Sequence, residues 1–283
     1  MITSPGQVIL AAPAKINLYL EILGRRSDGF HELETVFQTL TLADQVTVRV
    51  RDGAGVQLLC SEPSLPQDRD NLAYRAAALV AAAVPGLGRI EIELEKRIPH
   101  GAGLGGGSSD AAAVLRALAR LDARVRALDL PALALALGSD VPFFLLGGTA
   151  HATGRGERLA ALPDAQGAAL TVLMPTERLS TPRVFAALTD AERGPRAARG
   201  PTPWSAPQAW RGLLHNRLTA PARRLCPAVG AQLEVLAALG LPHLMSGSGA
   251  ACIAFAPVAA PPGTSAFPTT FRARGNLDAL IAL

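Results

Sequence analysis

The chain has 283 residues, 49% hydrophobic and 18% charged, with a formal net charge of +4. A charged fraction below the usual ~25% excludes a disordered chain, and a length near twice the ~150 residues of one domain predicts two. The mild positive charge, without a dense basic block, argues against a dedicated nucleic-acid binder and suits an anionic small molecule.

The start, MITSPGQVIL, has no basic stretch ahead of an apolar one, so no secretory signal is expected. Ile16, Leu18, Leu20 and Ile22 then alternate with Lys15, Asn17, Tyr19 and Glu21, the pattern of a half-buried strand with a polar face toward solvent. The segment GRRSDGFHEL reads as a loop that puts His31 in a turn. A second strand carries Val46, Val48 and Val50, and after the turn DGAG a third carries Val56, Leu58 and Cys60. An Ala-rich helix starts at Asn71 and runs to about Val84. Ile90, Ile92 and Leu94 alternate with glutamates and deliver Lys96 at the strand's end. The Gly-rich loop follows, and then a helix that Ser108, Ser109 and Asp110 are expected to cap. Another helix stops at Gly138 and releases Asp140.

A boundary near 155 divides the chain into 1–155 and 156–283. The second part starts with a strand at 169–174 and a helix entered through Ser180-Thr181-Pro182. Residues 193–207, rich in Pro and Arg, are expected to be mobile. A helix over 222–239 and the strands PHLM and ACIAFA, joined by SGSG, precede a last strand at 270–273. No apolar run nears the ~20 residues that cross a bilayer, so no membrane partner is expected. Cys60, Cys226 and Cys252 fit no metal or redox pattern and read as buried free thiols of a cytoplasmic protein. The mixture of helices and hairpins predicts an α+β fold.

Two features carry chemistry. Five glycines fall between His100 and Ser108, between a strand and a helix. Glycines let backbone N–H groups approach a ligand, and a helix start favours an anion, so the loop is predicted to bind phosphate. The second is a bias: of 27 basic residues 25 are arginine, leaving only Lys15 and Lys96. Lysines kept against that bias mark places where a compact ammonium differs from a planar guanidinium.

PHGAGLGGGSSDAA resembles the second motif of the GHMP kinases, small-molecule kinases that wrap ATP phosphates with such a loop. PAKINLYL and MSGSGAACIAF resemble that family's other two motifs, in order. GRRSDGFHELETVFQTL and GSDVPFFLLGGTAHATGRGE resemble the branch that acts on a cytidyl-diphosphate sugar alcohol. The resemblance covers nearly the whole chain. It implies a two-domain fold, the first domain like the second domain of ribosomal protein S5 and the second ferredoxin-like, with the site in the cleft between. It further implies ATP and Mg²⁺ as cofactors, that sugar alcohol as substrate, and a cytoplasmic monomer or weak homodimer.

By the same resemblance Asp140 is the base for the substrate hydroxyl, and Lys15 holds it ionised and stabilises the alkoxide. Pro99, Gly101, Gly103, Leu104, Gly105, Gly106, Gly107, Ser108 and Ser109 form the phosphate loop, with Asn71, Leu72 and Lys96 on the adenine side. Asn71 serves equally well as a helix cap. Asn17 and Thr181 line the substrate, His31 hydrogen-bonds the cytosine, and Phe30, Phe37 and Phe185 stack on it. Metal ligands are left unassigned, and Arg217 stands where relatives carry an acidic residue. Two other readings compete. A homoserine- or mevalonate-type kinase has no use for the His31 and phenylalanine set. A non-catalytic nucleotide-binding or RNA-binding protein has no use for Lys15 and Asp140 together.

Overall fold

The computed structural model describes residues 2–4, 6–165, 169–192, 199–204, 206 and 208–277. Strands β1 (Ile2–Ser4), β2 (Gln7–Arg25), β3 (His31–Arg51) and β4 (Val56–Cys60) lead into helix α1 (Leu72–Ala83), and β5 (Arg89–Glu95) leads through the glycine loop into α2 (Gly106–Leu121). Three short helices follow, α3 (Ala123–Arg126), α4 (Leu130–Leu137) and α5 (Val141–Leu146), and then a hairpin of β6 (Thr149–Gly154) and β7 (Arg158–Ala161). The remainder is β8 (Ala169–Pro175), α6 (Thr181–Ala186), β9 (His215–Asn216), α7 (Thr219–Leu225), α8 (Pro227–Ala238), β10 (His243–Met245), β11 (Cys252–Ala254) and β12 (Thr264–Thr270). The first sheet runs β1-β2-β3-β5-β4, with β6 on β3 and β9 on β2; the second runs β10-β11-β8-β12 and is antiparallel throughout. The expected boundary at 155 falls in the β6–β7 turn, and the second sheet takes over at Ala169.

The hairpin of β2 and β3 is far longer than the alternation predicts, at 19 and 21 residues. The second half of GRRSDGFHEL joins it, so His31 opens β3 opposite Arg25. Bulges interrupt the pairing between Pro13 and Lys15, Asn17 and Tyr19, and Ile22 and Gly24. A bulge bends a strand and re-aims its side chains. At the first one, the Lys15 N–H donates to the Leu104 carbonyl of the glycine loop at 2.9 Å.

The expected solvated face of β2 is buried. Lys15, Asn17, Tyr19 and Glu21 are each 4% exposed or less. Chain returning from the second half covers them. The Trp204 ring packs 4.9 Å from Tyr19, and β9 pairs in parallel with β2 at Tyr19 and Leu20. Residues 199–204 of the segment expected to be mobile are pinned, because buried Glu34 accepts the Arg199 and Gly200 N–H groups at 2.8 and 2.7 Å. Residues 193–198, 205 and 207 lie outside the described residues. The helix expected over 222–239 divides at Cys226, because Pro227 lacks the N–H that would continue it. The last strand ends where it was expected to begin, at Thr270, and the chain then touches the first sheet through a Leu40–Phe271 bridge. Cys226 and Cys252 are buried free thiols as expected, but Cys60 on β4 is only half-buried.

Candidate active site

A cleft of about 990 Å³ opens between the two sheets, lined by both halves of the chain. At its centre the Lys15 ammonium donates to Asn17 Oδ1 at 2.7 Å. Asn17 has no freedom to turn away. Its Nδ2 donates to Thr35 Oγ1 at 2.7 Å, and the Thr35 hydroxyl donates to the Tyr19 carbonyl at 2.6 Å. Asp140 stands 3.7 Å from the ammonium at the entry to α5, with its side chain 35% exposed against 5% for Lys15. Burial pulls the Lys15 pKa below the ordinary value, and the Asp140 charge works against that fall. The result is a dry cation facing a carboxylate that solvent and ligand can still reach.

The glycine loop forms one wall. Gly105, at φ +73°, precedes α2 with no side-chain cap, so the helix starts earlier than expected and Ser108 to Asp110 lie inside it. A Cβ on Gly105 would strike the Phe144 ring at 2.7 Å, whereas Gly106 and Gly107 have helical backbone and need no positive φ. The amides at this helix start are left for a ligand. Pro99, Gly101, Gly103, Leu104 and Ser108 all reach the cleft, as do the three consecutive glycines. Ser109 does not: it is fully buried, and its hydroxyl finds no partner. The turn between β10 and β11 clasps the loop from the second half. Ser246 Oγ donates to the Gly103 carbonyl at 3.3 Å, and Asn216 Nδ2 donates to the Met245 and Gly247 carbonyls at 2.6 and 2.8 Å.

On the adenine side Asn71 and Leu72 line the cleft, and Asn71 is also a helix cap. Its Oδ1 accepts the Ala73 N–H at 2.9 Å, and its Nδ2 donates to the Pro66 carbonyl at 2.8 Å. Lys96 is not an open cation, because its ammonium is held by the carboxylates of Asp44 and Asp110. Arg217, at the position where an acid was expected, has a local reason. Its guanidinium meets both Glu21 oxygens, at 2.5 and 2.7 Å.

The far end of the cleft is aromatic. The His31 ring lies 5.0 Å from that of Phe185 on α6. Phe30 is 50% exposed, with the Arg155 guanidinium 4.5 Å over its ring. Thr181 shares a 2.7 Å hydrogen bond with Ser248 of the clasping turn. Phe37, expected beside the other two phenylalanines, sits at the Lys15 end instead. It is 2% exposed, packs 4.7 Å from Phe143, and has the Lys15 ammonium 5.3 Å from its ring centroid. The sequence reading passed over Asp44 and Arg155, took Asp110 only as a helix cap, and placed Ser248 in the SGSG turn without its bond to Thr181. Of these only Asp44 stood outside every segment already singled out.

The GHMP kinase N-terminal domain model matches residues 71–148 and the GHMP kinase C-terminal model residues 205–271. A 4-diphosphocytidyl-2-C-methyl-D-erythritol kinase of Thermus thermophilus is 46% identical over 85% of this chain and 84% of its own length. One from Salinibacter ruber is 41% identical over 85% and 87%. A crystal structure of 4-(cytidine 5'-diphospho)-2C-methyl-D-erythritol kinase superposes with a TM-score of 0.75 at 40% identity, covering 93% of this chain and 99% of that one. The homoserine kinase of Cytophaga hutchinsonii shares the fold, at 17% identity and a TM-score of 0.71. The chain belongs to the GHMP kinases and, within them, to the 4-diphosphocytidyl-2-C-methyl-D-erythritol kinases.

Proposed function

We propose that the cleft moves the γ-phosphoryl group of MgATP to the 2-hydroxyl of 4-diphosphocytidyl-2-C-methyl-D-erythritol, the reaction of the non-mevalonate route to isoprenoid precursors. Asp140 is the base and Lys15 the stabilising cation. The observation that carries this reading is the Lys15–Asp140 pair at 3.7 Å, set between an amide-rich glycine loop and an aromatic pocket.

Asp140 takes the proton from the hydroxyl, whose oxygen bonds to the γ-phosphorus while the bond to the β–γ bridging oxygen breaks and ADP departs. Such transfers depend chiefly on positioning and charge stabilisation. The loop amides would hold the triphosphate, and Lys15, fixed by Asn17 and Thr35, would face the oxygen as its charge grows. Mg²⁺ enters with the nucleotide as part of the substrate. Among the described residues no group of three or more His, Cys, Asp or Glu could hold a metal ion. A metal bound mainly by phosphate oxygens and water suits that.

The aromatic end would take the cytosine, with Phe185 and Phe30 offering ring faces and His31 a polar edge. Arg155 lines the same end, with its guanidinium over the Phe30 ring. The next residue, Gly156, has its α-carbon against Phe37 and Asp140, so that an added Cβ would come within 3.9 Å of Asp140 Oδ1. An Arg155 cation near Phe30, on a segment whose next residue borders Asp140, would suit the diphosphate that links the cytosine to the sugar alcohol.

A phosphotransfer assay with a panel of alcohols tests the whole reading. The cytidyl substrate should be consumed, and bare 2-C-methyl-D-erythritol, homoserine and mevalonate should be very poor. If the bare polyol were phosphorylated as fast as the full substrate, the cytosine pocket would have no role and a generic sugar-alcohol kinase would replace it.

A further inference from the structure

The cluster around Lys96 has a property that the reacting groups do not explain. Its ammonium lies between Asp44 Oδ2 and Asp110 Oδ2, the latter at 2.6 Å, and the three side chains are 7%, 0% and 3% exposed. Asp44 is fully engaged, because its Oδ1 also accepts the Arg97 and Ile98 N–H groups at 2.6 and 2.8 Å. Asp110 is not. Its Oδ1 is buried without a hydrogen-bond partner. With all three groups ionised, the cluster carries one net negative charge. It sits directly beneath the phosphate loop: a Cβ added to Gly106 would lie 3.5 Å from the Asp44 carboxylate. A buried negative charge opposes a triphosphate at that place, and a carboxylate oxygen with no donor is costly when ionised.

We propose that Asp110 is a positioning residue that carries a proton in the nucleotide-bound enzyme, so that MgATP binding takes up a proton and meets a neutral Asp44–Lys96–Asp110 cluster. The proton comes from solvent and adds to Oδ1, while Oδ2 goes on accepting from Lys96. This rests on the kinase reading, in which the glycine loop binds the triphosphate.

The surroundings agree. Burial, with Asp44 adding to it and Lys96 opposing, pushes the Asp110 carboxyl up to about 7. The acting charges come from β3 through Asp44 and from the end of β5 through Lys96. The Cys60 thiol of β4 lies in the same field, its pKa pushed up by burial, and His100 feels the Lys96 charge, its own pKa pulled down chiefly by burial. Of the other elements packed on α2, α1, α3, α4 and α5 bury only apolar side chains, and β2 supplies Lys15, which is paired with Asp140.

Calorimetry of adenylyl imidodiphosphate with Mg²⁺, in buffers of different ionisation heat, counts the protons. At about pH 6 the free enzyme already holds the proton, and uptake should be near zero. At about pH 8 uptake should approach one, with affinity falling by up to about tenfold per pH unit above neutrality. Asp110→Asn, neutral at every pH, should take up none and keep a flat affinity. A merely structural Asp110 would weaken binding equally at both pH values in the variant. Should the variant not fold, infrared difference spectra of the wild type at pH 8 should still gain the C=O band of a protonated carboxyl when nucleotide is added. Nucleotide binding without proton uptake at pH 8, or equal uptake in both proteins, overturns this inference alone. No nucleotide binding at all overturns the kinase reading with it.

Discussion

The only two lysines of the chain are both buried and both face aspartate, yet their surroundings differ in one decisive way. Lys15 meets a single carboxylate at 3.7 Å that is a third exposed, and its other neighbours, the Asn17 amide and the Phe37 ring, are neutral. Lys96 is closed between two buried carboxylates. Burial accordingly drags the Lys15 pKa down, whereas at Lys96 Asp110 and Asp44 overcome the burial penalty and raise it. The first cation is under-compensated and available to growing negative charge. The second is over-compensated and available to nothing but its partners. Rarity of lysine thus marks two sites of different kinds, one for chemistry and one for holding the loop that the chemistry needs.

The largest test of that difference is at the reacting pair. Asp140→Asn should lower kcat by about 10²–10⁴-fold, the usual share of a positioned base, with ATP affinity nearly unchanged. Lys15→Arg keeps the charge but brings a planar fork into a slot shaped by Asn17 and Phe37, and should lower kcat by about 10²–10³-fold. Single-turnover rates decide both, and an Asp140→Asn enzyme with more than about a tenth of the activity, far outside that range, ends the role.

Lys96 should fail in the other currency, stability. Lys96→Met leaves two buried carboxylates facing each other. Removing one partner of a buried ion pair costs about 3–5 kcal/mol, and a proton on Asp110 keeps the loss near the lower end. At roughly 2–4 °C per kcal/mol for a chain of this order of size, the Tm should fall by about 6–12 °C. Lys15→Met should cost less, because the Asp140 it leaves behind reaches water. Equal melting losses in the two variants would remove the distinction between the sites.

How far the sequence foretold this depends on the range of the interaction. The strand–loop–helix around the five glycines, the alternation in β2 and the order of the three motifs are local, and of the site residues named from the sequence all but Ser109 line the cleft. What escaped was distant. Glu21 meets Arg217 across 196 positions and Lys96 meets Asp44 across 52, and no periodicity encodes either pair. For the same reason the polar face of β2 read as solvated, since its cover arrives from residues 199–217. Phe37 read as a base-stacking ring because resemblance carries residue type, whereas its packing on Phe143 depends on where α5 lands.

The aromatic end should respond in substrate affinity and not in nucleotide affinity. Stacking on an aromatic is worth roughly 1–3 kcal/mol per base, so Phe185→Ala should raise the KM for the cytidyl substrate by about 5- to 150-fold. His31 loses its ring neighbour in that variant, so the two positions are not expected to add. Initial-rate kinetics with each substrate varied in turn separate the ends, and a matching rise in the KM for ATP would mean that the cleft does not divide as described.

The smallest effect concerns the arginine that stands in for neither lysine. Arg217 shows the chain's usual cation at work, a planar fork on both oxygens of Glu21, with His215 Nε2 and the Ile22 N–H at the same carboxylate. Burial raises the Glu21 pKa, but the Arg217, His215 and Ile22 hydrogen bonds outweigh it and hold the carboxyl down at about 2. A carboxylate depressed on folding stabilises the protein above its unfolded pKa of about 4.3, and that stabilisation fades as pH falls toward the folded value. Arg217→Leu removes the fork. Because one side of the guanidinium reaches water, the loss near neutral pH should be about 1 kcal/mol, or roughly 2–4 °C of Tm. The gap between wild type and variant should hold constant from about pH 7 to pH 5 and then narrow toward pH 3, as Glu21 of the variant, no longer held down by the fork, takes a proton that the wild-type carboxyl still refuses. Activity at neutral pH should scarcely change, since the pair braces β2 from behind the cleft. Melting curves across that range provide the check. A gap that widened on acidification would mean that Arg217 stabilises the fold through something other than the ionised carboxylate, and the contrast between fork and ammonium would lose its third case.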